Sequence, residues 1–204
     1  MSAYAEPPHP PKARPVLAIA IACFVLGCGC GFLVGVLSVK GARELASNLF
    51  RSERAAQVNQ AIAVDRPAFQ FEYAGNWHID TESKDYDPDH MFSIDSPGQS
   101  FLMVVVADGE LSPHVAVEKQ VEAHTKKVMK EATKTELTEW GAHAGEGVLL
   151  KGKHLGISPG TIRIFAFREQ GTTYSVIEST YDDDRANVQP GFDLIARTFR
   201  VKEP

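Results

Sequence analysis

The chain has 204 residues, is 44% hydrophobic and 23% charged, and carries a formal net charge of −5, which suits one folded domain plus an anchor better than two domains. Residues 1–66 hold 7 Lys and Arg against 4 Asp and Glu, whereas residues 67–204 hold 14 against 22, so the acidity belongs to the C-terminal part. An acidic domain repels phosphate backbones, and with no basic run of five or more residues general nucleic-acid binding is excluded.

Residues 1–15 contain five prolines and predict a disordered, extended Pro-rich tail. From Val16 to Val39, "VLAIAIACFVLGCGCGFLVGVLSV", there is no charge over 24 residues. As a helix rising about 1.5 Å per residue this run reaches about 36 Å, enough for a bilayer core of about 30 Å. It exceeds the apolar core of a removable signal peptide and is followed by Lys40 and Arg43, so a retained single transmembrane helix is expected. "VLGC", Val25 to Cys28, also resembles a loose lipobox, and a lipoprotein modified at Cys28 is the alternative. That cleavage strands about ten further apolar residues after the cysteine.

All three cysteines, Cys23, Cys28 and Cys30, lie in this run. On a helix Cys28 and Cys30 point about 200° apart and cannot grip one metal ion. Gly27, Gly31 and Gly35 recur every four residues, and Cys23 extends the same small-residue stripe by one turn. Such a face admits a second helix closely, so a homodimer through the membrane helix is expected. The basic residues after the span favour a cytoplasmic domain by the positive-inside rule, but long C-terminal domains translocate largely regardless of charge.

Residues 40–66 read as a membrane-proximal helix through about Val64 and a linker, broken at Arg66-Pro67. The domain proper spans 67–204. "FQFEY" and "WHID" flank "AGN" and predict a hairpin; "MFSIDS" and "FLMVVVAD" flank "PGQ" and predict a second, closed by a type II turn at Pro97-Gly98. Ser112 as N-cap and Pro113 as first residue open a helix expected to run to about Lys130. Strands follow at "TELTEWGA", "EGVLLKGKHL", "TIRIFAFREQ" and "TTYSVIESTY", and a closing helix at about 190–199. Short turns between strands make the sheet antiparallel and the class α+β, with flanking helices.

"FQFEYAGNWHID", "MFSIDSPGQSFLMVVV", the helix and paired strands after them, and the terminal "GFDLIARTFRV" resemble the PsbP-like αβα-sandwich domains, to which DcrB-type envelope proteins are similar. The resemblance covers about residues 68–202. It implies an extracytoplasmic, membrane-attached binding or assembly module with an unknown protein partner and no cofactor, and it carries no catalytic signature onto this chain.

No nucleophile elbow, phosphate loop, zinc helix or dinucleotide fingerprint occurs. Ser96 and Ser100 belong to a turn and have no base near them in sequence. His114 and His124 are ten residues apart and read as packed or boundary residues. His143, Glu146 and His154 lie on strands that could pair, which is the basis for an alternative, a membrane-tethered metal-dependent enzyme. "DYDPDH" places Asp85, Asp87 and Asp89 at the alternating positions of a calcium loop, but His90 stands where glycine is needed and Ser96 where the closing glutamate belongs. Asp182, Asp183 and Asp184 are the further oxygen donors if folding unites the two runs; a solvated acidic loop is the simpler reading.

Overall fold

The computed structural model describes residues 54–109 and 111–203. The expected span, its stripe of Cys23, Gly27, Gly31 and Gly35, and the alternative lipidation site Cys28 lie outside the described residues. Among the described residues no helix is long and apolar enough to cross a membrane.

Among the described residues ten strands form two antiparallel sheets, flanked by two helices of more than three turns, an α+β fold. The small sheet has the order β1-β2-β10, with β1 at Ile62–Asp65, β2 at Phe69–Tyr73 and β10 at Arg200–Val201. The large sheet has the order β3-β4-β5-β9-β8-β7-β6. Its strands are β3 His78–Ile79, β4 Met91–Asp95, β5 Phe101–Ala107, β6 Thr133–Trp140, β7 His143–His154, β8 Ser158–Glu169 and β9 Thr172–Tyr181. The helices are α1, Pro113–Lys127, between β5 and β6, and α2, Arg185–Thr198, between β9 and β10.

One face of the large sheet carries Phe92, Ile94, Leu102, Val104, Phe165, Phe167, Tyr174 and Val176 and packs on α2 and the small sheet. Phe199, at the end of α2, lies 5.5 Å from Phe69 and 5.6 Å from Trp140, centroid to centroid, and so joins the small sheet to the edge of the large one. The other face carries Leu150, Ile162, Ile164, Ala166 and Ile177 and packs on Ala116, Val117 and Val121 of α1. Strand β9 is buried over eight consecutive residues, as expected of a strand covered on both faces.

Five expectations need correction. The helix expected through Val64 does not reach that far: Arg54 is helical, but Val58–Gln60 is a single 3₁₀ turn and Ile62–Asp65 a strand, because Val64 alternates inward against the core while its neighbours stay exposed. "AGN" does turn the chain, with the Trp77 N–H donating to the Ala74 carbonyl at 2.9 Å, but it joins two sheets and makes no hairpin. β2 pairs with β1 and β10, and β3 pairs with β4, since Trp77 is drawn into the core against the edge of Phe192.

The β4–β5 hairpin forms as expected, in register Asp95↔Phe101, but Gly98 has no positive φ and the turn is not type II. The Ser96 hydroxyl donates to the Ser100 carbonyl at 2.7 Å and closes the loop instead. Gly98 is needed for closeness, as a Cβ there would lie 2.2 Å from Asp184 Oδ2.

Ser112 caps α1 as expected, its hydroxyl accepting from the Val115 N–H at 3.3 Å, with Pro113 at the first position. The helix stops at Lys127 because Met129 drops into the core and Glu131 turns back at φ +60°. Helix α2 begins at Arg185, five residues before the expected start, and takes Pro190 inside it. The core position of Val188 and the packing of Gly191 on Trp77 require that earlier turn.

Candidate functional site

The strand order leaves β6 at one edge of the large sheet, paired among the described residues only with β7, from Thr133↔Lys151 to Trp140↔His143. It has eight residues, of which only Trp140 is fully buried, whereas β3 at the opposite edge has two residues. A long outer edge presents backbone N–H and C=O groups with no strand to pair them. The register shifts between Leu137 and Glu139 by one extra residue on β7, a bulge that bends the two strands there.

A hollow flanks β6 on each face of the sheet, and Leu137 lines both. On the α1 face the groove is about 390 Å³, walled by Val117 and Val121 of the helix and rimmed by His114, Glu118, Glu136 and Glu146. His114 Nδ1 lies 2.8 Å from Glu146 Oε2, a pair that ties the start of α1 to β7, and Nε2 lies 3.5 Å from Glu118 Oε1 one turn along the same helix. The hydrogen bond to Glu146, helped by the charges of Glu118 and Glu146, raises the pKa of His114 above the ordinary imidazole value. The expectation that His114 is packed or at a boundary is corrected: its side chain is exposed and engaged with carboxylates.

On the α2 face the cleft is about 670 Å³ and is lined by Trp140, Arg163, Asp193, Arg197 and Arg200 among others. Beneath it lies Glu178, 4% exposed. Its carboxylate accepts from Trp140 Nε1 at 2.8 Å and pairs with Arg163 Nη1 at 3.1 Å. Burial pushes the Glu178 carboxyl upward, and Arg163 and Trp140 oppose this by stabilising the ionised form. Arg163 is thus held by an internal acid. Arg200 Nη1 donates to the Phe199 carbonyl, and Arg197 is exposed with no carboxylate partner among the described residues. The two hollows therefore differ in character: one has apolar walls and a rim of Glu118, Glu136 and Glu146 with Lys134 among them, the other gathers Arg163, Arg197 and Arg200 with Glu139 and Asp193 beside them.

The strand histidines do not converge. His143, Glu146 and His154 all lie on β7, with the two histidines at its opposite ends, eleven positions apart. His143 stacks on Phe167 at 4.1 Å, Glu146 holds His114, and His154 is buried against Tyr181 at 4.3 Å, where burial lowers its pKa. Among the described residues no three His, Cys, Asp or Glu side chains cluster as a metal shell requires. The metal-dependent enzyme built on these histidines has no site there.

Nor do the two acidic runs meet. Asp87 accepts from the Asp89 N–H at 3.0 Å and pairs with His90 at the Met91 end of β4. Asp182 pairs with Arg185 at 2.7 Å, and Asp184 sits buried beside Gly98, at the turn that closes the other end of the β4–β5 hairpin. Asp85 and Asp183 stay with their own runs, at opposite ends of that hairpin.

Arg163 and Glu178 went unnoticed in the sequence, although a charged residue inside "TIRIFAF" and another inside "SVIEST" are the signal for a pair buried between strands.

No protein-family model and no curated protein matches the chain. Solved structures similar in fold include a protein from Bacteroides thetaiotaomicron, with a TM-score of 0.47 and 10% identity over 71% of this chain and 49% of that one. Thus the chain spans about half the length of that protein. Cyanobacterial PsbP (CyanoP) from Synechocystis is similar with a TM-score of 0.44 and 12% identity, over 70% of this chain and 93% of that one. LpqN of Mycobacterium tuberculosis, described as involved in cell envelope biogenesis, is similar with a TM-score of 0.46 and 12% identity, over 71% and 91%.

Proposed function

We propose that this chain is a non-enzymatic binding or assembly module of the cell envelope, anchored by one transmembrane helix at residues 16–39 with its acidic domain outside the cytoplasm. The partner is a protein that lays an extended segment along β6. The single observation carrying this reading is an exposed eight-residue edge strand with a hollow on each face.

In strand addition, backbone hydrogen bonds supply affinity and alternate side chains, pointing to opposite faces, supply specificity. Side chains on the α1 face enter a groove walled by Val117 and Val121 and take an apolar residue. Those on the α2 face meet Arg197 and Arg200 and take an acidic one. The stripe of Gly27, Gly31 and Gly35 pairs two copies in the membrane, offering the partner two edges.

The test is selection of linear peptides from a random display library on the full chain held in lipid nanodiscs. The expected peptides alternate acidic and apolar residues, and Arg197→Glu weakens them at least tenfold with folding unchanged. Peptides without that alternation, or with equal affinity for Arg197→Glu, overturn the reading.

A further inference from the structure

The two long hairpins of the large sheet end in turns of similar backbone geometry and opposite chemistry. Between β8 and β9, Glu169 pairs with Thr172 around Gln170 and Gly171, whose φ values are +52° and +83°. Between β7 and β8, the Ile157 N–H donates to the His154 carbonyl at 3.0 Å around Leu155 and Gly156, at φ +51° and +76°. Positive φ at both central positions favours Asn, Asp or Gly, not leucine. The first turn is polar. The second holds Leu155 at 72% and Ile157 at 78% exposed, the two most exposed large hydrophobic residues described. Neither stability nor turn chemistry accounts for them.

Two observations say what covers this tip. First, it lies at the end of the sheet where the described chain begins. Arg54 lines one small hollow with Tyr181, Asp183 and Asp184. Tyr181 in turn pairs with Gly160 and stacks on His154, next to the turn. Only residues 40–53 separate Arg54 from the apolar run, a reach of at most about 50 Å even when fully extended. The polar turn lies at the opposite end of β8 and β9. Second, the tip has basic company. The Leu155 N–H donates to the Val128 carbonyl, which brings the end of α1 against the turn. Lys127 and Lys130 flank that contact and Lys153 precedes the turn. These three make no ion pair among the described residues; the acids near the tip are Glu131, next to Lys130 in the chain, and Asp182, which faces His154 and is itself paired with Arg185.

We propose that the β7–β8 tip is a second membrane contact, in which Leu155 and Ile157 enter the interface of an anionic leaflet and Lys127, Lys130 and Lys153 meet its headgroups. Apolar side chains at a tip ringed by lysines suit the boundary between acyl chains and headgroups. The occupant is chosen on the anchored reading above, and the contact fixes the tilt of the domain so that β6 is presented at a set height.

The experiment uses the full chain reconstituted in vesicles of phosphatidylcholine and phosphatidylglycerol, 3:1, in which some of the phosphatidylcholine is brominated. Trp77 and Trp140 are buried, so a tryptophan introduced by Ile157→Trp reports the tip, and Gln170→Trp reports the polar turn as control. Quenching of the tip at least threefold stronger than at the control, and weaker when phosphatidylglycerol is omitted, is the expected result. Equal quenching at both turns overturns the proposal and leaves the tip to a protein partner. Alkaline carbonate extraction of the same vesicles tests the anchor separately. A chain retained in the pellet with equal quenching refutes the tip alone, and an extracted chain with strong tip quenching refutes the anchor alone.

Discussion

Arg163 and Glu178 stand directly opposite each other in the β8–β9 register, and their side chains pair at 3.1 Å beneath the floor of the arginine-lined cleft. A buried ion pair adds little to stability compared with apolar side chains of equal size, but loss of one partner leaves the other unpaired. Glu178 is the buried member, and Arg163 reaches the cleft. Arg163→Ala is therefore expected to destabilise the domain by about 3 kcal/mol at pH 7. The carboxyl already titrates above its ordinary range, so protonation favours the folded state. The deficit shrinks as pH falls through the raised folded value and the relief is complete below the unfolded value. Urea unfolding of wild type and variant at pH 7 and pH 5 checks it.

His114 reports the other hollow. Its raised value means that its bond to Glu146 contributes fully below the ordinary imidazole pKa and is lost as pH rises through the folded value. An NMR titration of the ring should find a midpoint above the ordinary value, and Glu146→Gln should return it towards that value. A midpoint indifferent to Glu146→Gln contradicts the geometry.

Gly191 fixes α2 on the core. A Cβ there would lie 2.4 Å from Trp77 Cζ2, which is a rigid ring and cannot yield as a flexible side chain does. Gly191→Ala should cost about 1–3 kcal/mol through overpacking and shift the tryptophan emission, measured by thermal unfolding and fluorescence.

Leu155→Asn should raise stability by about 1 kcal/mol, because asparagine tolerates the left-handed backbone that leucine adopts at φ +51°. Denaturant midpoints decide it. A loss of stability would show that the exposed leucine packs in the folded state.

Much of the architecture was legible because periodicity reports burial directly. Ser112-Pro113 announced α1, and the four strands from Thr133 to Tyr181 appear where alternation and apolar runs placed them. What misled was partnership. "FQFEY" reads as half of a hairpin, yet a period-two pattern tells which face is buried and not which strand lies alongside. The good helix formers of residues 40–57 carry a helical reading too far: 58–65 holds Val58, Ile62 and Val64, which favour a strand, and Val64 joins a sheet edge over the core. The candidate site was hardly legible at all. That β6 is last in the sheet depends on strand order, and the facing of Arg163 and Glu178 depends on register across a hairpin. Neither quantity is local in the chain.

The most direct test of the edge-strand account is amide hydrogen exchange along β6 in the full chain, with and without a selected peptide of alternating acidic and apolar residues. The account predicts slowed exchange at alternate residues of 133–138, where outward N–H groups gain partners, with α1 and β3 unchanged. Saturating peptide that leaves β6 exchanging as before, or protects another edge, would contradict it.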